Sequence, residues 1–202
     1  MLTITQKLKL ISAMTSKGHN LINATNEANG VRQDELFIEY CGSGKPVIND
    51  IFIGNFRVSQ LFGANPYMYK RFGWRGHNGI DFACPTGTKL LSGINGVVKS
   101  AYNNVGGWGN HIYIWDKTQN IMTIHAHLKT LNVRAGDKVK SGQLIGLSGN
   151  TGNSTGPHLH FGVYKVDKNG NNINLWNGYG GAINPFDKNL VVWKITNPKK
   201  PL

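Results

Sequence analysis

The sequence predicts a mainly β fold, an antiparallel sheet preceded by a short α-helical N-terminal segment, and three observations predict it. Apolar residues recur at helical intervals only near the start of the chain. From about residue 51 they alternate with a period of two over short runs. Glycine, at 26 of 202 residues, is roughly twice its usual ~7% share, which marks many turns. The length suits one sizeable domain with an appendage.

Taken in order, Ile4, Leu8 and Ile11, then Leu21 and Ile22, predict two short helices between residues 4 and 28, with Gly18 and Gly30 as stops. The run "CGSGKPVIND" (41–50) gathers glycine, serine and proline and marks a boundary. The chain therefore divides into a helical segment and linker over 1–46 and a β domain over 47–202. Within the latter, "GIDFA" (79–83), "GINGVVKSAY" (93–102), "NHIYIWD" (110–116), "NIMTIHAHLKT" (120–130) and "VRAGDKVKSGQLIGLSGNTG" (133–152) read as short strands, with "DKTQN" (116–120) as a hairpin connection. In the run 120–130, Met122, Ile124, Ala126 and Leu128 are expected on one face and Thr123, His125, His127 and Lys129 on the other, open face. In "STGPHLHFGV" (154–163), His158, His160 and Gly162 share one side while Leu159, Phe161 and Val163 take the other. Residues 166–202 read as a final strand with a tail or variable loops, of which "NLWNGYG" (174–180) is either a groove lining or a surface loop.

Composition narrows the function. Residues 1–50 carry five basic and five acidic side chains, so the whole excess of +12 lies in residues 51–202. Such a charge favours anionic partners, among them nucleic acid, anionic membrane and anionic wall polymer. No helix-turn-helix, RNP or zinc-finger pattern accompanies it, which argues against nucleic acid. No run reaches the ~20 apolar residues of a membrane span. "LISAM" after Lys7 and Lys9 is too short for a secretory signal, so no export route of the chain's own is expected. Cys41 and Cys84 have no C-x-x-C spacing, and buried free thiols are expected of them.

Five of the seven histidines fall into three groupings, His77 with Asp81 in "HNGID", His125 with His127 in "HAH", and His158 with His160 in "HLH". Zinc accepts imidazole nitrogen and carboxylate oxygen, and a catalytic zinc site takes three protein ligands with a fourth position open. The helical motif H-E-x-x-H is absent, so a zinc peptidase here needs another scaffold. Spacing alone leaves each pair two readings: metal ligands, or polar side chains hydrogen-bonded to one another.

The ordered series "HNGIDFACPTGTKL", "WGNHIYIW", "IHAHL" and "VRAGDKVKSGQLIGLSGNTGNSTGPHLHFGV" resembles the lysostaphin-like, or LytM-type, zinc metalloendopeptidases, over about residues 57–165. The resemblance implies an antiparallel β peptidase domain with an open groove, acting on peptide cross-links or stem peptides of bacterial peptidoglycan. It implies one zinc ion per chain, held by His77, Asp81 and His160, and two further catalytic histidines, His127 and His158. His125 stands where a tyrosine is common, and its role is left open. The basic surface then matches anionic wall polymers. The expected site of action is the bacterial wall, reached as a phage lysin or virion-associated hydrolase whose N-terminal segment contacts tail proteins, or as a fragment of an exported protein. The alternative is a non-catalytic wall-binding or structural tail protein that retains the fold, which the complete ligand set disfavours. A biotinyl or lipoyl carrier, suggested by "VRAGDKVKSGQLIG", lacks the Met-Lys-type modification turn.

Overall fold

The computed structural model describes residues 37–40, 48, 50–52, 56–103, 106–186 and 193–196. The helices expected between residues 4 and 28 lie outside the described residues. Among the described residues thirteen strands follow one another: β1 (Phe37–Tyr40), β2 (Arg57–Gln60), β3 (Ile80–Ala83), β4 (Lys89–Leu91), β5 (Gly96–Tyr102), β6 (His111–Asp116), β7 (Ile121–Ala126), β8 (Leu128–Leu131), β9 (Lys138–Val139), β10 (Leu144–Ser148), β11 (Leu159–Lys165), β12 (Ala182–Ile183) and β13 (Trp193–Thr196). One short helix, α1 (Pro66–Tyr69), runs into a 3-10 turn over Lys70–Phe72.

The strands form two antiparallel sheets. The larger has the order β13-β1-β2-β3-β11-β7-β6-β5-β9, with β12 also pairing β11; the smaller is β4-β10-β8. Strand β1 lies ahead of the expected boundary after residue 46 and is part of the larger sheet, paired with β13 and, at Phe37, with Arg57. The expected hairpin is present, β6 pairing with β7 from Ile112↔His125 to Asp116↔Ile121 across the four residues 117–120.

The two sheets enclose the main core. Ile80, Phe82, Ile112, Ile114, Phe161 and Val163 from the larger sheet meet Leu90, Ile145 and Leu128 from the smaller. This burial supplies most of the fold's stabilisation, at about 25 cal/mol per Å² of apolar area. On the opposite face of the larger sheet a second cluster gathers Ile124, Ala126, Tyr164, Val166 and Ala182, partly covered by Phe62, Trp108 and Tyr113.

Strand β7 therefore departs from the open-face expectation. Thr123 and His125 are fully buried and point toward the main core, opposite Val163 and Phe161 of β11. Met122, Ile124 and Ala126 join the second cluster instead. Both faces of β7 are covered, so apolar alternation does not distinguish inside from outside here. His125 and His127 do not form one pair: the strand ends at Ala126, and His127 takes a left-handed backbone, φ 64°. In β11 the expected alternation is present, with Leu159, Phe161 and Val163 in the main core.

Candidate metal centre

Asp81 in β3 and His160 in β11 are register partners, so their side chains leave the sheet on the same face. His77 arrives from the loop ahead of β3, where its N–H donates to the Ala64 carbonyl and its own carbonyl accepts from Gly63 N–H, both at 2.8 Å. Its Nδ1–H donates to the Leu61 carbonyl at 3.2 Å, which leaves the Nε2 lone pair available to a metal. Three donor atoms converge as a result. His77 Nε2 lies 2.9 Å from His160 Nδ1 and 3.2 Å from Asp81 Oδ1, and His160 Nδ1 lies 2.9 Å from that same oxygen.

This donor set fits a small divalent cation. Zinc bonds of ~2.0–2.1 Å in a tetrahedron place neighbouring ligand atoms ~3.3 Å apart, close to the sides of this triangle. The chemistry agrees, since two imidazoles and one carboxylate leave a dication one positive charge. Burial pushes the His160 pKa down to about 4 even with Asp81 beside it, so its ring is neutral and free to ligate at neutral pH. Burial works to raise the Asp81 carboxyl, yet the two imidazoles beside it, His77 and His160, outweigh burial and hold it well below the usual carboxylate range. The seat of His160 depends on Gly79, where a Cβ would stand 2.5 Å from His160 Cε1 and 2.6 Å from the Phe161 carbonyl oxygen.

The other two histidines of the expected site sit beside this triangle. His158 immediately precedes β11 and shares its face with His160; its Nε2 lies 3.8 Å from Asp81 Oδ2. His127 reaches the same place by a different route. Its left-handed backbone breaks the period of two, its N–H donates to the Trp108 carbonyl at 3.0 Å, and its ring centre lies 4.7 Å from that of His158. A non-glycine residue in that conformation costs of order 1–3 kcal/mol, a strain characteristic of functional sites. Both rings donate Nδ1–H to backbone carbonyls at 2.8 Å, His127 to Thr151 and His158 to Gly156, so in the neutral form each keeps a bare Nε2. Burial, reinforced by the charge of His158, lowers the His127 pKa and favours that neutral form.

His125 lies on the far side of the sheet, its ring 5.1 Å from Phe161 and neither ring nitrogen hydrogen-bonded. Two neighbours of the centre carry no signal in a periodic reading of the sequence. Trp108 is half-buried, 4.6 Å from the His160 ring and 6.3 Å from the His127 ring. Tyr69 is 5.5 Å from the His77 ring and its hydroxyl accepts a hydrogen bond from Gln60 Nε2 at 3.1 Å. Tyr69 ends the four-residue helix α1 and Trp108 ends a 3-10 turn over Gly106–Trp108, elements too short for a helical period to point to either residue. Cys84 is buried, as expected of a free thiol.

Residues 75–175, half of the chain, match peptidase family M23. A peptidoglycan DD-endopeptidase of Vibrio cholerae is 47% identical over 85 residues, 42% of this chain and 19% of that protein. A glycyl-glycine endopeptidase of Staphylococcus capitis is 41% identical over 101 residues, 50% of this chain and 27% of that protein. The chain thus spans well under a third of the length of these curated relatives. Among solved structures, the catalytic domain of a prophage-encoded M23 protein from Enterococcus faecalis superposes with a TM-score of 0.54 at 29% identity, covering 70% of this chain and 97% of that one.

Proposed function

Because the chain belongs to peptidase family M23, we propose that it is a zinc-dependent endopeptidase that hydrolyses peptide bonds of bacterial peptidoglycan. The observation that carries the reading is the triangle of His77 Nε2, Asp81 Oδ1 and His160 Nδ1 with the His127–His158 pair at its edge. The names of the Vibrio and Staphylococcus relatives support the substrate class, and they differ in the bond cut, a DD-linkage in one and glycyl-glycine in the other. Zinc bound by these three residues supplies Lewis acidity, polarising the scissile carbonyl and acidifying water.

The chain's own residues do the rest. Peptide hydrolysis adds water across the C–N bond, so one proton must leave the water and one must reach the departing amine. His127 and His158, each with Nδ1–H committed to a backbone carbonyl, offer Nε2 to take the first proton and return it to the amine. In its protonated form either Nε2–H donates to the oxygen that gains charge in the tetrahedral state. Trp108 packs against this space, its ring 4.6 Å from that of His160.

The site of action is the bacterial wall, and the enzyme acts there as a phage lysin or virion-associated hydrolase, a reading that the prophage-encoded Enterococcus neighbour supports. Contact with tail proteins would fall to the N-terminal segment, and immunodetection in purified virions checks it. The 17 basic side chains of residues 51–202 serve attraction to anionic wall polymers, so wall binding should weaken as salt rises. The decisive test is His160→Ala. It should lose zinc, measured by metal analysis, and lose release of muropeptides from purified walls; a zinc-free variant with full activity defeats the reading.

A further inference from the structure

On the His77 side the metal centre runs into a rim of exposed rings. Within residues 65–75, Tyr67 is 90% exposed, Phe72 is 48% exposed and Trp74 is half-buried. The rings are held in order. Phe72 and Trp74 lie 5.3 Å apart, Trp74 stacks on Tyr69 with 15° between their planes, and Trp74 rests on Gly180 of the facing loop, where a Cβ would come within 2.9 Å of the indole. That facing loop is tied down by Arg75 N–H, which donates to the Gly178 carbonyl at 2.6 Å, and it exposes Trp176 almost completely.

The same stretch is cationic. Lys70, Arg71 and Arg75 are exposed, none has an acidic partner among the described residues, and the sequence holds no acidic residue between Asp50 and Asp81. Large exposed aromatic groups of this kind mark a contact surface. Arg71 lies over the Phe72 ring, 4.7 Å from its centre, and braces it, while Lys70 and Arg75 stand beside the rim without an acidic partner among the described residues; flat rings beside such cations match a pyranose that bears a carboxylate-containing peptide. The C–H-rich face of the sugar covers the ring, its hydroxyl edge stays in water, and the carboxylates meet the cations.

The rim is continuous with the catalytic centre. Tyr69 is 5.5 Å from the His77 ring and 6.4 Å from Phe72, so the span from ligand to rim is no longer than roughly three to four extended residues reach. A short peptide of that length would let a sugar rest on the rim while the bond to be cut lies at the metal centre. We propose that the rim is a glycan subsite, holding a sugar ring of the peptidoglycan strand on the exposed rings of Tyr67 and Phe72, which Trp74 and Arg71 brace, while Lys70 and Arg75 meet carboxylates of the attached peptide. The proposal rests on the endopeptidase reading above and deepens it.

The test compares two soluble substrates with the zinc-loaded full chain: a cross-linked muropeptide carrying its disaccharides, and the same cross-linked peptide freed of sugar by an amidase. The sugar-bearing substrate should show kcat/KM higher by about fivefold or more, the loss typical when a central aromatic contact is truncated. Tyr67→Ala with Phe72→Ala should erase that advantage and leave the sugar-free rate unchanged. Equal rates on the two substrates for the unaltered enzyme overturn the subsite. If neither substrate is cut, the endopeptidase reading fails, and the affinities of the two substrates, by calorimetry, decide the subsite alone, equal values overturning it. Sedimentation with phosphatidylglycerol vesicles is the remaining arm: vesicle binding lost in the double variant, with no sugar advantage, assigns the rim to a lipid surface and also overturns it.

Discussion

The two faces of the central strands β7 and β11 hold buried histidines in opposite circumstances. On the core face, His125 is fully buried beside Phe161, and the Leu91 backbone acts on its ring without forming a well-directed hydrogen bond. On the opposite face, His160 is buried almost as completely, but its Nδ1 lies 2.9 Å from both Asp81 Oδ1 and His77 Nε2. Desolvation lowers the pKa of both rings. What separates them is the convergence of fixed partners, so histidine burial marks a site only where lone pairs from different elements meet at one point.

That contrast is broken or sharpened first by His127→Ala. His127 packs edge-on against His160, ring centres 6.1 Å apart, but adds no atom to the donor triangle, so the variant should keep zinc while turnover falls about 10²–10⁴-fold, the range for a lost proton-transfer group. Metal content beside muropeptide release checks this, and a variant that loses its zinc makes His127 part of the ligand shell instead. Gly79→Ala should have the next largest effect. The new Cβ would meet His160 Cε1 at 2.5 Å and the Phe161 carbonyl oxygen at 2.6 Å, so the ligand ring must move or the strand must shift. The expected outcome is zinc affinity reduced about 10–100-fold, and stability reduced by about 1–3 kcal/mol, by chelator competition and denaturant titration.

The core-face histidine predicts an effect on stability alone. His125 is neutral when folded, with burial pushing its pKa down to about 3 against the opposing Leu91 backbone. Its unfolded value is about 6.5, so below that pH the unfolded chain binds the extra proton and stability falls as pH falls. The loss is about 1.4 kcal/mol per pH unit between roughly pH 6 and pH 4. His125→Phe should flatten that part of the stability–pH curve and leave zinc content and turnover at neutral pH as they are. Turnover that drops with unchanged stability would give His125 a role in the site after all.

Most of this organisation was legible in the sequence where a strict period held. Leu159, Phe161 and Val163 against His158 and His160 read correctly because only one face of β11 at that end carries apolar residues. The run 121–126 misled because Thr123 and His125 are polar residues in the core, and Met122, Ile124 and Ala126 are apolar residues under a second cluster. His127 reaches the centre by a left-handed residue, which a pattern of two cannot express. The meeting of Asp81 with His160 is a matter of register between strands 79 residues apart, which spacing along the chain does not encode. Family resemblance supplied that grouping, and the register supplies its physical reason.

The smallest expected effect concerns how His158 is aimed. Its Nδ1–H has two acceptors, the Gly156 carbonyl at 2.8 Å and Ser154 Oγ at 3.1 Å, while Ser154 Oγ–H donates to Asn150 Oδ1 at 2.6 Å or to the Gly156 carbonyl at 2.9 Å. Removing the hydroxyl leaves the shorter carbonyl bond, so tautomer and ring direction persist with one restraint fewer. A net hydrogen bond of about 0.5–1.5 kcal/mol sets the scale, and Ser154→Ala should lower kcat about two- to tenfold with zinc content and KM unchanged. A loss as large as that of His127→Ala would mean that Gly156 does not hold the ring by itself and that Ser154 is its principal anchor. An unchanged kcat would mean that backbone carbonyls alone aim both histidines, making the loop path through Gly149 and Gly156, rather than any side chain, the element that sets their direction.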